Sequence, residues 1–572
     1  MTVPLPFHLD PIRHSARAGV DGRVPGTLAA HASIHARSPA RSIHRRLALL
    51  GIGLLSLLAG CASLPPGSDF PKTTSIALTR PEETRLGHQL AAAKADHAGT
   101  SGFKLLPVGI DSFLLRMEMA EAAGRTLDVQ YFLIQSDDTG QLLIEALLKA
   151  ADRGVRVRVL LDDAGSFGRD AQIRTLAGTP NVELRVFNPF AYRGNVDFVH
   201  VAEYLANASR LNYRMHNKLF VADNEIGIVG GRNVGDEYFQ GGRDFEFGDY
   251  DIVAAGPVVN QISNSFDAFW NSPMAIPIEA LAGGKPTAQE LDDYRGVLAA
   301  HHARMIGADA PYMRTLAAGE PLAALLRGKS TLVWAKAEVI YDSPEKAKVQ
   351  DGAQRGRLLR QRLGDVANEV RSELIIVSPY LVPGPEGMKF FEALRERNVS
   401  VRILTNSLAS TDMSIVHSGY RAFRSPLLGI GVDLYEVRPV LGQPVVRGNQ
   451  LKSPSSGMFA LHAKVFVFDR QRIFVGSMNL DRRSLYLNTE IGLIIDSPEL
   501  ARQIALRFAD IAQPSNSYVL MLGETDPLGQ RPLVWRTLED GKPVDFRQEP
   551  GVTPWRRLQV DMFSLLPLDE VL

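Results

Sequence analysis

The sequence predicts an α/β protein of two homologous domains packed side by side, each with a mixed, mostly parallel sheet flanked by helices. Two observations lead to this prediction. The order strand, helix, strand occurs once in each half of the 572-residue chain, and corresponding residues of the two copies are a nearly constant number of positions apart. A repeat with so long a period indicates two whole domains rather than a solenoid.

The first copy begins with a predicted strand over residues 126–134. A helix over residues 141–154 follows, with apolar residues at helical spacing and Gly154 as its stop signal. A second strand over residues 155–163 completes the unit. A right-handed unit of this kind places its two strands parallel in one sheet.

The second copy repeats this order with a strand over residues 372–382, a helix over 386–398 and a strand over 399–407. Leu127 and Leu374 are 247 positions apart, and Arg158 and Arg402 are 244 apart. The near-constant offset indicates an internal duplication.

The remaining segments are assigned by composition. Residues 273–336 carry the weakest pattern and are expected to bridge the domains, and the C-terminal stretch with Trp555, Leu558, Met562, Phe563 and Leu566 either caps the core as a helix or contacts lipid. The predicted segments are an N-terminal extension and signal (1–60), a tether with a linker helix (61–100), the first domain (101–300), an inter-domain segment (301–340), the second domain (341–540) and an amphipathic tail (541–572).

Composition narrows the classes of function. The 63 Lys and Arg residues balance the 63 Asp and Glu residues, so no global basic field argues for a nucleic-acid partner. Cys61 is the single cysteine, which excludes intramolecular disulfides and cysteine-clustered zinc sites.

Cys61 ends a pattern typical of export. Arg45 and Arg46 precede an apolar run over residues 47–60, which has the length of a signal-peptide core. The ending Leu-Ala-Gly-Cys resembles the lipobox of bacterial lipoproteins, which implies removal of the signal, a diacylglyceryl group on Cys61 and a body anchored by lipid in the cell envelope, facing the periplasm. Ala62, a residue other than aspartate, favours the outer membrane over the inner one.

Two copies of one motif carry the chemistry, and the two histidines and the two asparagines are each 246 positions apart. A histidine and a lysine two residues apart in an extended segment point to the same side, and glycine lets the backbone approach a ligand. Histidine supplies a nucleophile or an acid, and lysine and asparagine neutralise phosphate oxygens, so the pattern predicts a phosphate pocket. The motif residues are His216, Lys218, Asp223, Gly230, Gly231 and Asn233 in the first copy, and His462, Lys464, Asp469, Gly476, Ser477 and Asn479 in the second.

These residues resemble the HxKx4D and GSxN signatures of the phospholipase D superfamily, whose active sites form between two halves. The resemblance implies a catalytic set of His216, Lys218, Asp223, His462, Lys464 and Asp469, although the two aspartates are expected to be structural. It also implies a covalent double displacement, with His216 as the nucleophile that forms a phosphohistidine and His462 as the general acid and base. Asn233, Ser477 and Asn479 are expected to bind the phosphate.

The family pattern also implies one further carboxylate in each half, to orient a histidine. Glu490 is the candidate in the second half, just before a predicted strand. Asp249 and Asp251 are both candidates in the first half, because they are two positions apart and face the same way. Gly231 replaces the serine of the second motif, which suggests that the two halves do different jobs.

From His97 to the C-terminus the sequence is similar to the cardiolipin synthase C-type subgroup, as in TNSLASTD and LDRRSLYLNTEIG, and departs from it between Asn188 and Tyr213. The resemblance implies transfer of a phosphatidyl group to phosphatidylglycerol, with phosphatidylethanolamine as the donor. Alternatives are a phospholipase D that releases phosphatidic acid, an exported nuclease, and a lipoprotein that binds headgroups without catalysis.

The partners implied are phospholipid substrates and the membrane, with no nucleic acid, and the sequence does not identify a protein partner. No cofactor or metal is expected. His301 and His302 lack carboxylates at ligand spacing and are interpreted as a solvated helix face.

Overall fold

The computed structural model describes residues 64, 67–166, 169–194, 196–241, 245–281, 283–307, 313, 319–328, 330–350, 352, 356–442, 458–527 and 529–565. The predicted signal segment, Cys61 and Leu566 lie outside the described residues.

The first half forms one mixed sheet in the order β9-β4-β3-β2-β5-β6-β8-β1. The strands of this half are β1 (Ser101–Leu106), β2 (Thr126–Tyr131), β3 (Arg156–Asp162), β4 (Val182–Phe187), β5 (Leu219–Ala222), β6 (Ile226–Gly230), β7 (Phe245–Gly248), β8 (Asp251–Ala255) and β9 (Ala275–Pro277), of which β7 lies outside the sheet. The pairs β2–β3 and β3–β4 are parallel, and the other pairs of this sheet are antiparallel.

The second half repeats the same order, β18-β13-β12-β11-β15-β16-β17-β10, with β19 and β20 added beyond β18. Its strands are β10 (Val333–Tyr341), β11 (Glu373–Val377), β12 (Ser400–Asn406), β13 (Asp433–Val437), β14 (Met458–Leu461), β15 (Val465–Phe468), β16 (Arg472–Gly476), β17 (Ile491–Asp496), β18 (Ser517–Leu522), β19 (Leu533–Glu539) and β20 (Lys542–Phe546).

The prediction of two homologous α/β halves with mixed sheets is confirmed, whereas the expectation of mostly parallel sheets is wrong. Within these two sheets, parallel pairing is confined to the strands that crossover helices connect. Each motif instead forms an antiparallel hairpin, β5–β6 and β15–β16, because a connection of a few residues cannot return the chain for parallel pairing.

Strand β10 joins the two halves. Its first part pairs with β1, where Ser101 opposes Ala335, and its second part pairs with β17, where Tyr341 opposes Ile491. The two sheets are therefore hydrogen-bonded through one shared strand. The predicted domain boundary at residue 340 falls inside β10. The exact limits of the two domains stay a prediction.

Helices cover both sheets. The helices of the described residues are Arg85–Asp96, Gly109–Ala122, Asp138–Asp152, Asp170–Ala177, Asp197–Ala206, Ala208–Leu211, Val258–Trp270, Ile278–Leu281, Ala288–Gly307, Pro321–Leu326, Lys346–Gln350, Leu359–Asn368, Gly384–Glu396, Ser414–Arg421, Arg424–Gly429, Pro498–Ala512 and Pro554–Phe563, with short helical turns at Pro81–Glu83, Asp163–Gly165, Asp236–Tyr238 and Arg483–Leu487.

The weakly patterned segment before β10 belongs to the first half rather than forming a plain bridge. Its helices bury Leu298, Leu322 and Leu325 in the same apolar core as Phe113 and Leu147. The helix Ala288–Gly307 also crosses the predicted boundary at residue 300.

The C-terminal helix has one packed side and one exposed side. Val560 is buried, and the Arg556 guanidinium donates to the carbonyls of Ala409 and Thr411. Trp555 is 65 % exposed and Met562 is 58 % exposed. Packing against the core therefore accounts for one face of this helix, and lipid contact remains a proposal for the other.

The duplicated arginines of the second strand of each unit have different surroundings. Arg158 on β3 is fully buried and forms two hydrogen bonds with Asp128, at 2.7 and 2.8 Å, and an ion pair with Asp267 at 2.8 Å. Arg402 on β12 has a side chain that is 23 % exposed, and its guanidinium is 3.7 Å from Glu373.

We expect Arg158→Ala to lower the free energy of unfolding by about 3–5 kcal/mol, because it leaves the buried Asp128 without its cation. The matched Arg402→Ala is expected to lower the free energy of unfolding by about 1 kcal/mol or less, since the Arg402–Glu373 pair is longer and more exposed to solvent. Chemical denaturation of both variants measures the difference. Equal losses would contradict this account of the buried ion pair.

Candidate active site

The two motif histidines lie just before the central hairpin of each half. His216 precedes β5, and His462 lies between β14 and β15. Both histidines are fully buried, and so are Lys218 and Lys464. The central strands β5 and β15 each have hydrogen-bonded neighbours on both sides, which fixes the positions from which the histidines project.

The backbone of each histidine is hydrogen-bonded to the opposite half. The amide of His216 donates to the carbonyl of Thr489 at 2.9 Å, and the amide of His462 donates to the carbonyl of Gly248 at 2.8 Å. Strands β7 and β14 pair in parallel immediately beside His462. The interface between the halves is therefore built of backbone hydrogen bonds at the site itself.

Each imidazole is also bound by a carboxylate of the opposite half. Nδ1 of His216 is 2.8 Å from Oε2 of Glu490, and Nδ1 of His462 is 2.6 Å from Oδ2 of Asp249. Both carboxylates are buried, so the two pairs are shielded from solvent. A carboxylate on Nδ1 fixes the ring orientation and directs Nε2 away from itself.

The sequence left Asp249 and Asp251 as alternatives, and the geometry brings only Asp249 to a histidine. Asp251 opposes Gly230 in the sheet, and its carboxylate accepts from Arg116 at 2.9 Å and from Ser112 at 2.7 Å. Gly492 opposes Gly476 in the second half. Asp249 and Glu490 thus both lie two residues before the partner of the motif glycine.

Burial controls the ionisation of the crossed pairs. It lowers the pKa of both imidazoles well below the ordinary value of 6.5, with Lys218 adding to the effect at His216 and Lys464 at His462. Burial also raises the pKa of Glu490 to about 8 and that of Asp249 to about 6. Burial therefore favours neutral imidazoles over a pair of opposite charges.

Four buried polar atoms of the motifs have no hydrogen-bond partner in the described part of the chain. They are Nε2 of His216, Nε2 of His462, Oδ1 of Asn233 and Oδ1 of Asn479. Unpartnered buried polar atoms are rare and call for a ligand or a functional reason. Their occurrence in equivalent positions of both motifs is what a shared phosphate pocket requires.

The two lysines are held close to their own histidines. Nζ of Lys218 donates to the carbonyl of His216 at 2.7 Å, and Nζ of Lys464 donates to the carbonyl of His462. Burial lowers the pKa of Lys464 to about 8, against the opposing attraction of Asp249, and lowers the pKa of Lys218 strongly. An anion that enters the site would restore their positive charge.

The hydroxyl of Ser477, which is expected to bind phosphate, is hydrogen-bonded within the protein. The hydroxyl donates to Oε2 of Glu490 and thus supports the carboxylate that orients His216. Gly231 occupies the equivalent position in the first half. Its lack of a side chain leaves space for Asp249, because a Cβ at Gly231 would be 2.4 Å from Oδ1 of Asp249.

The motif aspartates lie away from the site, although the sequence grouped them with the catalytic residues. The carboxylate of Asp223 accepts from the backbone amides of residues 124–126, and that of Asp469 accepts from those of residues 371–373. Both aspartates have φ of +52° at the hairpin turn. Their role is to connect that turn to the start of β2 or β11, which agrees with the structural role expected for them.

Some residues around the site gave no signal in the sequence. Tyr238 lies edge-on to His462, with ring centroids 5.2 Å apart, and accepts a hydrogen bond from Nδ2 of Asn233. The hydroxyl of Tyr380 donates to Asp412, whose charge acts on His462 and Lys464. Aromatic and acidic residues far away in sequence have no motif that would assign them to the pocket.

His301 and His302 do not form the solvated face that was predicted. His301 is buried 2.8 Å from Asp138, and His302 is 2.6 Å from Glu145, because the helix Ala288–Gly307 packs on the helix Asp138–Asp152. Within the described ranges no cluster of three His, Cys, Asp or Glu side chains could hold a metal ion.

None of the helices in the described part of the chain has the length and apolar character to cross a bilayer.

Comparisons with known proteins identify relatives over most of the chain. Residues 116–270 and 365–512 match the family model described as "Cardiolipin synthase, PLD-like domain". Cardiolipin synthase C of Escherichia coli (strain K12) is 37 % identical over 85 % of this chain and all of that protein, and an uncharacterized protein of Helicobacter pylori (strain ATCC 700392 / 26695) is 29 % identical over 88 % of this chain and 95 % of its own. The crystal structure of a phosphatidylserine synthase from Haemophilus influenzae Rd KW20 aligns with a TM-score of 0.48 and 16 % identity, over 76 % of this chain and 92 % of that one.

We expect Asp249→Asn to lower turnover by roughly 10²- to 10⁴-fold, because the imidazole of His462 loses its charged acceptor. The raised pKa also predicts a pH dependence. The ionised form of Asp249 is lost as the pH falls through about 6, so the turnover of the unchanged protein should fall there. Rate profiles of the two proteins between pH 5 and 8 test this prediction, since the variant should lack that acidic limb.

The matched control is Asp251→Asn, two positions along the chain. Asp251 binds Arg116 and not a histidine, so this variant should lose stability and keep the acidic limb. An unchanged acidic limb in Asp249→Asn would contradict the assignment of Asp249.

Proposed function

Because the chain belongs to the cardiolipin synthase family with phospholipase D-like domains, we propose that it is a phosphatidyltransferase that forms cardiolipin. The proposed acceptor is phosphatidylglycerol and the proposed donor is phosphatidylethanolamine. The reaction passes through a phosphohistidine.

One observation carries this proposal. Two buried imidazoles, each oriented by a carboxylate of the opposite half, leave both Nε2 atoms unpartnered in the described part of the chain. A double displacement at phosphorus needs one nitrogen as nucleophile and a second as proton donor and acceptor. A headgroup-binding lipoprotein without catalysis would need cations and amides, but not two oriented imidazoles.

In the first step, Nε2 of His216 attacks phosphorus and the bond to the headgroup oxygen breaks. His462 donates its proton to that oxygen, and the alcohol leaves. In the second step, His462 accepts the proton of a hydroxyl of phosphatidylglycerol, the resulting oxygen attacks phosphorus, and the bond between phosphorus and His216 breaks. The proton thus returns to His462, and the enzyme is restored.

The lysines and asparagines are proposed to bind the non-bridging oxygens. Lys218 and Lys464 lie beside the two imidazoles, and the negative charge of a bound phosphodiester would favour their protonated forms. Rotation of the amide of Asn233 or Asn479 by half a turn exchanges Oδ1 for Nδ2 and offers a donor to an oxyanion. Donors that are already in place stabilise the charge that develops at phosphorus.

The acceptor decides between transfer and hydrolysis. Water in place of a lipid alcohol would discharge the same phosphohistidine to phosphatidic acid, which is the phospholipase D alternative. The burial of both histidines favours an acceptor that excludes water. The balanced charge of the chain gives no support to the third alternative, an exported nuclease.

The N-terminal pattern supports a proposal on location. We propose that the chain is lipid-anchored through Cys61 in the bacterial cell envelope and faces the periplasm, at the outer membrane in preference to the inner one. A tether at Cys61 would bring a body with a buried site to substrates that do not leave the bilayer.

We expect the purified protein to produce cardiolipin in vesicles of phosphatidylglycerol, and to produce more when phosphatidylethanolamine is added. His216→Ala and His462→Ala should each lower the rate by roughly 10³-fold or more, because either loss removes one of the two proton or phosphoryl carriers. Mass spectrometry of the lipid products measures both effects.

The outcomes separate the alternatives. Phosphatidic acid in place of cardiolipin would make the protein a hydrolase, and cardiolipin formed by either alanine variant would reject the two-histidine mechanism. Peptide mass spectrometry after rapid quenching should place the phosphatidyl adduct on His216. An adduct on His462 would reverse the two roles.

The anchor has its own test in a bacterial host. Cys61→Ala should abolish incorporation of labelled fatty acid and move the protein out of the membrane fraction, whereas Ala62→Ser should change neither. Ala62→Asp should shift the protein from the outer to the inner membrane. Fatty-acid labelling that persists in Cys61→Ala would contradict the lipobox interpretation.

A further inference from the structure

A cavity of about 660 Å³ lies in the second half, between the sheet and the helices Leu359–Asn368 and Gly384–Glu396. Side chains of β11 and β15 form its floor, and its walls are mostly apolar, including Phe390, Phe391, Met478, Leu480 and Leu485. Its volume is within the range of roughly 300–1,000 Å³ that is typical of ligand pockets.

The duplicated fold does not require this cavity. In the first half the equivalent layer lies between β2, β5 and the helices Gly109–Ala122 and Asp138–Asp152. Large side chains fill it, among them the fully buried Phe113, Met119, Leu143, Leu147 and Phe220. Small residues line the cavity in the second half, and a Cβ added at Gly364 would meet no atom within 4 Å.

The rim of the cavity is positively charged. The guanidinium groups of Arg360 and Arg482 lie over the ring of Tyr486, at 4.6 and 5.4 Å from its centroid. Neither arginine forms an ion pair with another described residue, and Nε of Arg360 is buried without a partner there. Glu386 also lies at the rim, where it accepts from the Tyr486 hydroxyl at 2.6 Å, so the rim holds two cations and one anion.

We propose that this cavity binds one acyl chain of an anionic membrane phospholipid, whose phosphodiester contacts Arg360 and Arg482. The apolar walls fit an alkyl chain, and a guanidinium pair fits a phosphodiester better than a neutral or zwitterionic headgroup. An acyl chain can fill an apolar space of this volume while its charged head stays at the rim.

This site is separate from the phosphate pocket. Ser477 and Asn479 belong to the pocket with the histidines, whereas Met478 and Leu480, which alternate with them, line the cavity. The backbone of residues 477–480 therefore forms a wall between the two. A lipid in the cavity would hold the body on the bilayer beside the site without occupying it.

Photolabelling tests the proposal on the full chain. The probe is phosphatidylglycerol with a diazirine at the end of one acyl chain, in vesicles of phosphatidylcholine, and labelled peptides are mapped by mass spectrometry. We expect labels on peptides that cover residues 383–391 and 478–486. Gly364→Phe, which fills the cavity, should reduce these labels by roughly tenfold or more. Gly296→Phe, at an exposed helix glycine that also has no neighbour within 4 Å, should leave them unchanged.

A second variant tests the rim by combining Arg360→Gln with Arg482→Gln. It keeps the cavity and should also reduce labelling, because it removes both positive charges. Circular dichroism confirms that each variant is folded. Equal labelling by a phosphatidylcholine probe would reject the anionic ligand, and labels only near the histidines, or crosslinks between two copies of the chain through this face, would reject the site. Labelling does not need turnover, so labelled peptides without cardiolipin would count against the proposed function alone.

Discussion

The crossed pairing of histidine and carboxylate is the constraint on which the rest of the structure depends. Glu490 orients His216 and Asp249 orients His462, so neither half contains a complete site. All four groups are buried, and a buried imidazole or carboxylate without its partner would be costly. The packing of the halves is therefore fixed by the site, and β10 and the β7–β14 pair hold that packing with backbone hydrogen bonds.

The duplication supplies symmetry, and single residues break it. Ser477 supports Glu490 with a hydroxyl, whereas Gly231 has no side chain and gives its space to Asp249. The pKa of the two carboxylates also differs, about 8 for Glu490 and about 6 for Asp249, because burial raises both and at Glu490 outweighs the lowering effects of Lys218 and of the Ser477 hydroxyl. The two halves of one fold thus give their orienting carboxylates different surroundings.

Much of this could be predicted from the sequence, because periodicity and motif spacing are local. The strands and helices of both βαβ units were placed within a few residues, and the HxK and asparagine positions meet as expected. The choice between Asp249 and Asp251 could not be made, since the connection after Asn233 is five residues longer than that after Asn479 and the constant offset fails there. Antiparallel hairpins, the crossed partners and Tyr380 with Asp412 depend on pairings between distant segments, which no local pattern encodes.

In the proposed mechanism His462 acts as an acid although burial lowers its pKa, and the charges of the site account for this. The two lysines and the two carboxylates have compensating charges, and burial keeps the imidazoles neutral. A phosphodiester adds one negative charge beside Nε2 of both rings. That charge favours an additional proton in the site, and in the proposed mechanism His462 carries this proton for the leaving alcohol. In the same mechanism His216 keeps a free lone pair on Nε2, because Nδ1 is the nitrogen that contacts Glu490. The negative charge of the substrate would thus favour the protonated histidine that cleavage of the same substrate needs.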